Sequence, residues 1–170
     1  VCGNATERNT LYATTGSAFG ATPAWTSQLE RTSSVTLGDV TGDGRLDLVC
    51  GNLGQFGFAP ATLYVNTGSG FGLRPAWSGL DEATRSVALG DMDGDGRLDL
   101  ARGNSGNSTL YRNVGQVFDT SPYWTGPQGS SYGAAAEDVD GDGRLDLAFA
   151  EYPGSSVVYL QDPGGFAQTP

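Results

Sequence analysis

The sequence predicts an all-β fold that is built from repeated four-stranded antiparallel units. A ten-residue acidic motif begins at Asp39, Asp91 and Asp138, so its copies start 52 and 47 residues apart. A period of about 50 residues is typical of propellers and other repeat arrays. The segments between the motifs are rich in Tyr, Val, Phe, Trp and Thr and end in turn residues, which indicates short strands. No helical apolar period is convincing, and 27 Gly and 8 Pro in 170 residues argue against long helices, so we expect a β-propeller.

Each unit is expected to contain four strands in a fixed order. A short apolar segment before the motif forms the first strand, and the LDL segment that ends the motif begins the second. An LYxNxG segment forms the third strand, and a Pro-x-Trp segment closes the unit after a glycine and a phenylalanine. The chain then divides into four blades, at residues 1–33, 34–85, 86–132 and 133–170.

The first predicted blade is incomplete. Residues 1–4 match residues 49–52, so this blade should begin at its second strand and lack the inner strand. The last blade should keep three strands and a short fourth. Because an open sheet edge invites association, we expect the chain to pair with another chain or with the rest of a larger propeller.

The acidity of the chain is concentrated in the three motifs. Nine basic and 19 acidic residues give a net charge of −10, and 11 of the acids lie in the motifs. Three bound Ca²⁺ ions would reduce this charge to −4, so most of the acidity is explained by cation loops. Nucleic acid is a poor partner for such a surface. The sequence also lacks an apolar run of the roughly 18 residues that a membrane span needs.

The basic residues exclude several kinds of catalysis. All nine are arginines, and the chain contains neither lysine nor histidine. A Ser-His-Asp or Cys-His arrangement, a lysine Schiff base and a histidine-ligated zinc ion are therefore excluded. Cys2 and Cys50 occupy equivalent positions in neighbouring units, where we expect two buried thiols. A disulfide, within this chain or to a partner, remains the alternative.

Each motif places oxygen ligands two residues apart around a glycine turn, which suits a hard divalent cation. Counting from the first aspartate, positions 1, 3, 5 and 9 offer side-chain oxygens. The arginine at position 7 is expected to offer its backbone carbonyl and to leave its guanidinium outside the loop. All-oxygen ligation favours Ca²⁺ over softer metals. The predicted ligands are Asp39, Thr41, Asp43, Arg45 and Asp47 in the first loop, Asp91, Asp93, Asp95, Arg97 and Asp99 in the second, and Asp138, Asp140, Asp142, Arg144 and Asp146 in the third.

The three loops should differ from EF-hands and from one another. An EF-hand needs a glutamate at position 12, followed by a helix. Here that position is Cys50, Arg102 or Phe149, and strand-like sequence follows. The first loop carries Thr41 where the others carry an aspartate, so we expect about three calcium sites, the first of them the weakest.

The combination of an apolar strand, DxDGDGxxD, LDL, LYxNxG and a following phenylalanine resembles the FG-GAP/VCBS repeats. These repeats form the blades of integrin α-subunit propellers and of many secreted microbial proteins. The resemblance covers nearly the whole chain, and it is most specific in the cation loop. It implies a propeller whose calcium loops join the first and second strands of a blade. It also implies a secreted, extracellular protein.

The resemblance favours a recognition module that binds glycan or protein ligands, as a lectin or an adhesion protein does. Four aromatic residues could contact such a ligand: Trp25, Trp77, Tyr123 and Trp124. The alternative for the three tryptophans is packing between blades. A non-catalytic scaffold attached to a secreted enzyme is a second hypothesis. A glycosidase or polysaccharide lyase is a third, but the acids outside the loops carry no recognisable catalytic signature, so we expect no enzyme activity.

Overall fold

The computed structural model describes residues 3–4, 7–54, 59–167 and 169–170. Across these residues every regular element is a β-strand, so the all-β prediction is confirmed. The larger sheets are antiparallel meanders, in which strands that follow one another in sequence lie side by side. None of the described segments forms a helix long and apolar enough to cross a membrane.

The N-terminal sheet has two strands, and a short hairpin separates them in the sequence. These elements are β1 (Arg8–Leu11), β2 (Thr14–Thr15), β3 (Ala18–Phe19) and β4 (Trp25–Leu29), with β1 paired to β4 and β2 to β3. By sequence, β1 and β4 correspond to the third and fourth strands of a unit. Residues 1–2 of the second strand predicted at residues 1–4 lie outside the described residues, and residues 3–4 belong to no strand.

Two complete four-stranded sheets follow. The second sheet contains β5 (Thr32–Gly38), β6 (Asp47–Asn52), β7 (Ala59–Tyr64) and β8 (Trp77–Glu82). The third sheet contains β9 (Thr84–Gly90), β10 (Asp99–Asn104), β11 (Thr109–Tyr111) and β12 (Trp124–Thr125). In the second sheet, Leu48 of β6 pairs with Leu37 of β5 and Tyr64 of β7, so these side chains share one face. Both sheets have the form of propeller blades.

The last sheet has three strands in the described residues. They are β13 (Ser131–Glu137), β14 (Asp146–Glu151) and β15 (Val157–Tyr159), and the short hairpin of β16 (Gln161–Asp162) and β17 (Gly165–Phe166) follows. The predicted short fourth strand is not among the described elements of this sheet, and the residues after β15 form a separate hairpin. The number of propeller blades stays a prediction.

The same small hairpin occurs in each unit after its third strand. In the second and third units it is reduced to single bridges, Asn66 with Phe71 and Asn113 with Phe118. The hairpins β2–β3 and β16–β17 are its counterparts in the outer units. It carries the repeated phenylalanine. Phe71, Phe118 and Phe166 contact the tryptophan of the preceding unit, whereas Phe19 is 72% exposed.

The sheets stack through a repeated aromatic contact. Trp77 of β8 meets Tyr111 and Phe118 of the next unit edge to face, with ring centroids 5.5 and 5.1 Å apart. Trp25 repeats this contact on the second unit and Trp124 repeats it on the last. Each tryptophan is only 7% exposed. Aromatic pairs of this kind contribute about 1 kcal/mol each beyond the area they bury, so they hold neighbouring sheets face to face.

The first strands of neighbouring sheets also pack closely. Ser33 donates a 2.6 Å hydrogen bond to the carbonyl of Thr84. Gly38 allows the approach, because a Cβ there would lie 2.7 Å from Leu89 and 2.8 Å from Leu98. The strands that lead into successive motifs therefore lie side by side, and their loops emerge at one end of the stack.

Candidate metal centre

The three acidic loops join the first and second strands of the second, third and fourth sheets, as predicted. Each loop turns through two glycines with positive φ, at positions 4 and 6. A side chain is strained at such angles. The six angles are 74° and 84° at Gly42 and Gly44, 75° and 86° at Gly94 and Gly96, and 82° and 89° at Gly141 and Gly143.

The first aspartate of each loop lies at the centre of the turn. The carboxylate of Asp91 accepts backbone hydrogen bonds from Asp95 at 3.0 Å and from Gly96 at 2.9 Å. Asp39 and Asp138 accept the equivalent bonds. The backbone is thus wrapped around one carboxylate, which draws positions 1 and 5 together.

The aspartate at position 9 is buried and ties the loop to the rest of its sheet. Asp99 is 0% exposed, and it accepts hydrogen bonds from the backbone N–H groups of Met92 at 3.2 Å and Asn113 at 2.8 Å. Met92 lies in the loop, whereas Asn113 follows the third strand. Asp47 and Asp146 make the same pair of connections. A cation bound by the position-9 carboxylate would therefore be connected, through this hydrogen bond, to the end of the third strand as well as to the loop.

The carboxylates converge in the second and third loops. Oxygens of Asp91, Asp93 and Asp95 lie within 4.8 Å of one another, and so do those of Asp138, Asp140 and Asp146. Among the described residues the first loop brings no three carboxylates together in this way, since it carries Thr41 at position 3.

The Thr41 hydroxyl oxygen supports a metal site in the first loop. It is buried and makes no hydrogen bond to the described residues. A buried oxygen without a donor, beside carboxylates, is an oxygen that a cation would satisfy. The donor chemistry in all three loops therefore fits a hard cation.

The sequence predicts that the arginine side chain at position 7 lies outside the loop. In the structure this side chain instead contacts its own loop. Arg97 forms an ion pair with Asp95, and its Nε donates to the carbonyl of Asn113 at 3.0 Å. Arg45 and Arg144 make the same pair of contacts in their own loops. The physical reason is Coulomb attraction to the carboxylate two residues earlier. The backbone carbonyl at position 7 stays a predicted ligand.

A second arginine binds the middle loop alone. Arg112 follows β11, and its Nε lies 3.0 Å from a carboxylate oxygen of Asp93. Its guanidinium also lies over the ring of Tyr123, 4.5 Å from the centroid. Because this pair is partly exposed, it contributes little to stability, but it orients Asp93 within the cluster.

Burial affects the loop carboxylates unequally. Burial raises the pKa of Asp99 to about 6, and the charges of Asp93 and Asp95 add to this effect. Around Asp146, burial is outweighed by backbone N–H donors, beginning with that of Gln161, so its pKa lies below the ordinary value. Among the described residues no further sheet packs over the third loop, which explains the difference.

The Asp99 carboxyl predicts a pH-dependent response to calcium. Its pKa of about 6 lies above the ordinary 3.8, so the folded, metal-free protein binds more protons than the unfolded chain between these values. The group therefore stabilises the metal-free protein as pH falls through 6 and loses this contribution as pH rises. Calcium needs the ionised carboxylate, so its stabilising effect should be smaller at about pH 5 than at about pH 7.5.

Thermal melting in calcium and in excess chelator, at both pH values, measures this difference. Asp99→Asn removes the titrating group and should reduce the dependence on pH. An equal calcium-induced shift at both pH values for the unaltered protein would contradict the prediction.

The sequence motif LYxN contains a residue whose role was not predicted. Asn113 donates through Nδ2 to Leu98 in its own loop at 3.1 Å, and to Val40 in the loop of the preceding sheet at 2.8 Å. Gln161 makes the equivalent inter-sheet bond to Met92 at 2.5 Å. These amides link successive loops. The recurrence of asparagine after LYx was the available signal.

The predicted ligand-contact residues lie between the sheets. All three tryptophans are buried, and the indole N–H groups of Trp25 and Trp77 donate to the carbonyls of Gly72 and Asp119. Packing between sheets therefore explains why a tryptophan recurs at this position in three successive units. Tyr123 is half-buried, and burial raises the pKa of its hydroxyl. Ligand contact by these residues stays a prediction.

Cys50 is a buried free thiol, as the sequence suggested. Burial raises its pKa to about 12, and the nearby Glu30 carboxylate adds to the shift. A thiol with so high a pKa is unreactive at neutral pH. Cys2 lies outside the described residues.

Two family models match the chain over the regions that form the sheets and loops. The model for the FG-GAP repeat matches residues 32–70, and the model for the FG-GAP-like repeat matches residues 91–149. A chain of the Photorhabdus luminescens Tc holotoxin pore is similar at 20% identity and a TM-score of 0.44, over 90% of this chain. The match covers 8% of that toxin chain. No curated protein matches.

Proposed function

The chain belongs to the FG-GAP repeat family, and from this premise we propose that it is an extracellular, calcium-stabilised propeller module that recognises a glycan or protein ligand without catalysing a reaction. The observation that carries the proposal is the convergence of carboxylates in two loops that occupy the same place in successive sheets. The first loop has the same glycine turns and adds the buried Thr41 hydroxyl, which makes no hydrogen bond to the described residues.

Calcium is the cation that the donor set favours. The loops offer carboxylate, hydroxyl and backbone oxygens and no nitrogen or sulfur ligand. A bound ion would neutralise carboxylates that otherwise repel one another within a few ångströms. Mg²⁺ demands a tighter octahedron and dehydrates reluctantly. Extracellular calcium modules have dissociation constants of about 10⁻⁴–10⁻³ M, and the calcium concentration outside cells is high enough to occupy such sites. This supports a secreted location.

The non-catalytic role is supported by the state of the acids outside the loops. Glu30 accepts a 2.9 Å hydrogen bond from the Tyr64 hydroxyl, and Glu82 lies 3.3 Å from the guanidinium of the buried Arg102. Both carboxylates therefore have structural partners. Together with the absence of histidine and lysine, this reduces the number of groups available for acid–base chemistry.

The outer face of the last sheet supports association with further sheets. Val139 is 62% exposed, whereas its counterparts Val40 and Met92 are 2% and 1% exposed beneath the following sheet. A further repeat, from a longer propeller or from a second chain, would cover this face. Glu137 occupies the position equivalent to Gly38, against which a leucine of the following sheet packs. A surface that covers the last sheet must therefore leave room for a carboxylate. This observation also favours the second candidate function, a scaffold within a larger secreted assembly.

Asp95→Ala tests the calcium site. Asp95 is exposed, and its hydrogen bonds and ion pair to the described residues all lie within its own loop, so its loss should barely change the melting temperature in chelator. In about 2 mM calcium the variant should lose most of the roughly 2 kcal/mol that one site of Kd near 10⁻⁴ M supplies, or several degrees. Asp81→Ala, an exposed acid outside the loops, is the matched control. Equal losses in calcium and in chelator would argue against a metal at this loop.

A glycan array, probed with and without chelator, tests the recognition role. Binding to a defined glycan class that weakens when calcium is removed is expected, because the loops order the surface that presents the site. If folded, calcium-loaded protein binds neither glycans nor extracellular proteins, the scaffold function is the better account.

A further inference from the structure

A cavity of about 570 Å³ lies between the second and third sheets. Its walls include the residue before β5, the residues after β6, the turn between β8 and β9 and the turn between β10 and β11. The cation loops join the other ends of β5 to β6 and of β9 to β10. The cavity therefore opens at the end of the sheets that is opposite the acidic loops.

The charge of the cavity is opposite to that of the chain as a whole. Arg31 and Arg85 both line it. Glu82 lines it too, but its carboxylate lies 3.3 Å from the guanidinium of Arg102 and accepts a 3.0 Å hydrogen bond from Asn104. Arg102 is fully buried, so its charge offsets that of Glu82. The formal charges of the lining side chains, two arginines and one glutamate, therefore sum to +1 on a chain of charge −10.

Arg85 is held in an orientation that suits a planar anion. Its guanidinium carbon lies 4.1 Å from the centroid of the Tyr132 ring, and its Nε is buried without a hydrogen bond to the described residues. Stacking on an aromatic ring fixes the plane of a guanidinium, and a fixed guanidinium binds carboxylates through two parallel hydrogen bonds. Tyr132 in turn meets Tyr152, with ring centroids 5.9 Å apart, and both rings are exposed.

We propose that this cavity binds the carboxylate of an acidic saccharide, with Arg85 as the anchoring residue; the proposal rests on the recognition role and names its ligand class. Among the described lining residues only Leu53 and Ala83 have apolar side chains. Ser105, Asn107 and neighbouring backbone groups offer partners for hydroxyl groups. The exposed rings of Tyr132 and Tyr152 do not line the cavity but lie beside Arg85, where they offer apolar surface for the C–H face of a sugar. The described lining residues form no deep apolar pocket for the anchoring side chain of an acidic peptide.

The test is calorimetric titration of the whole, calcium-loaded chain with cellobiouronic acid, and with cellobiose as its neutral counterpart. The acid should bind at least about tenfold more tightly, and Arg85→Ser should weaken its binding about 10-fold to 100-fold, the range expected for a charged hydrogen-bonded pair. Serine is compatible with the strand, because Ser33 occupies the same position in the second sheet. Arg74→Ser removes the same charge from an exposed loop and should leave binding unchanged.

Equal binding of the acid by Arg85→Ser and by the unaltered protein would overturn the proposal, and so would the absence of binding by folded protein. Arg85-dependent binding of a tetraglutamate peptide without binding of the saccharide would make this a peptide site and would also overturn it. If a glycan from the array still binds to Arg85→Ser, the cavity is not its binding site. The recognition role would stand, but the proposal for this cavity would be overturned. An array without any bound glycan or protein would count against the recognition role itself.

Discussion

Asp99→Ala is expected to destabilise the protein by about 3 kcal/mol even in chelator, because two buried N–H groups would lose their acceptor at about 1–3 kcal/mol each. Those N–H groups belong to Met92 in the loop and to Asn113 after the third strand. The variant should also lose the calcium response of the second loop. This combination separates position 9 from Asp95, whose loss matters in calcium alone.

Urea unfolding in calcium and in chelator measures both effects. Asp99→Asn retains one carbonyl oxygen and should lose less stability than the alanine variant, while still weakening calcium binding. A loss below about 1 kcal/mol for Asp99→Ala in chelator would show that the hydrogen bonds to the loop and the third strand contribute little.

Arg102→Met is expected to cost about 3 kcal/mol, in the range found when one partner of a buried pair is removed. The methionine fills much of the space but donates no hydrogen bond. The guanidinium donates to the hydroxyls of Thr84 and Tyr111 and to the carbonyl of Leu80, and it pairs with Glu82. Arg102 itself is 0% exposed, and burial lowers its pKa.

A double-mutant cycle with Glu82→Gln separates the ion pair from the other bonds. Glu82→Gln alone should cost less than about 1 kcal/mol, because Glu82 is partly exposed. The double variant should lose less than the two single losses combined. If Arg102→Met has the same melting temperature as the unaltered protein, the buried guanidinium does not stabilise the third sheet.

The repeat made much of the fold predictable. Strand order and loop position follow from local patterns, because each motif contains both its ligands and its glycines. The role of Asp99 in joining the loop to the third strand did not follow, since its donor Asn113 is 14 residues away. The weakness predicted for the first loop rests on Thr41 alone, and it stays a prediction.

Other features depended on contacts between sheets, which the sequence does not specify. Arg102 sits in a strand position that holds Cys50 in the preceding sheet, and nothing in its neighbours marks it as buried. Its partners lie on three other strands or turns. The tryptophans allowed either packing or ligand contact, and only the stacking of sheets placed Trp77 against Tyr111 and Phe118. The cavity beside Arg85 likewise exists only between two sheets.

Calorimetric titration of calcium into metal-free protein shows whether the three loops bind the ion. We predict about three ions per chain with dissociation constants near 10⁻⁴–10⁻³ M, the weakest of them lost in Asp43→Ala. The melting temperature should rise with the same calcium dependence. A folded chain that takes up no calcium at several millimolar, and whose melting temperature is the same in calcium and in chelator, would contradict the account.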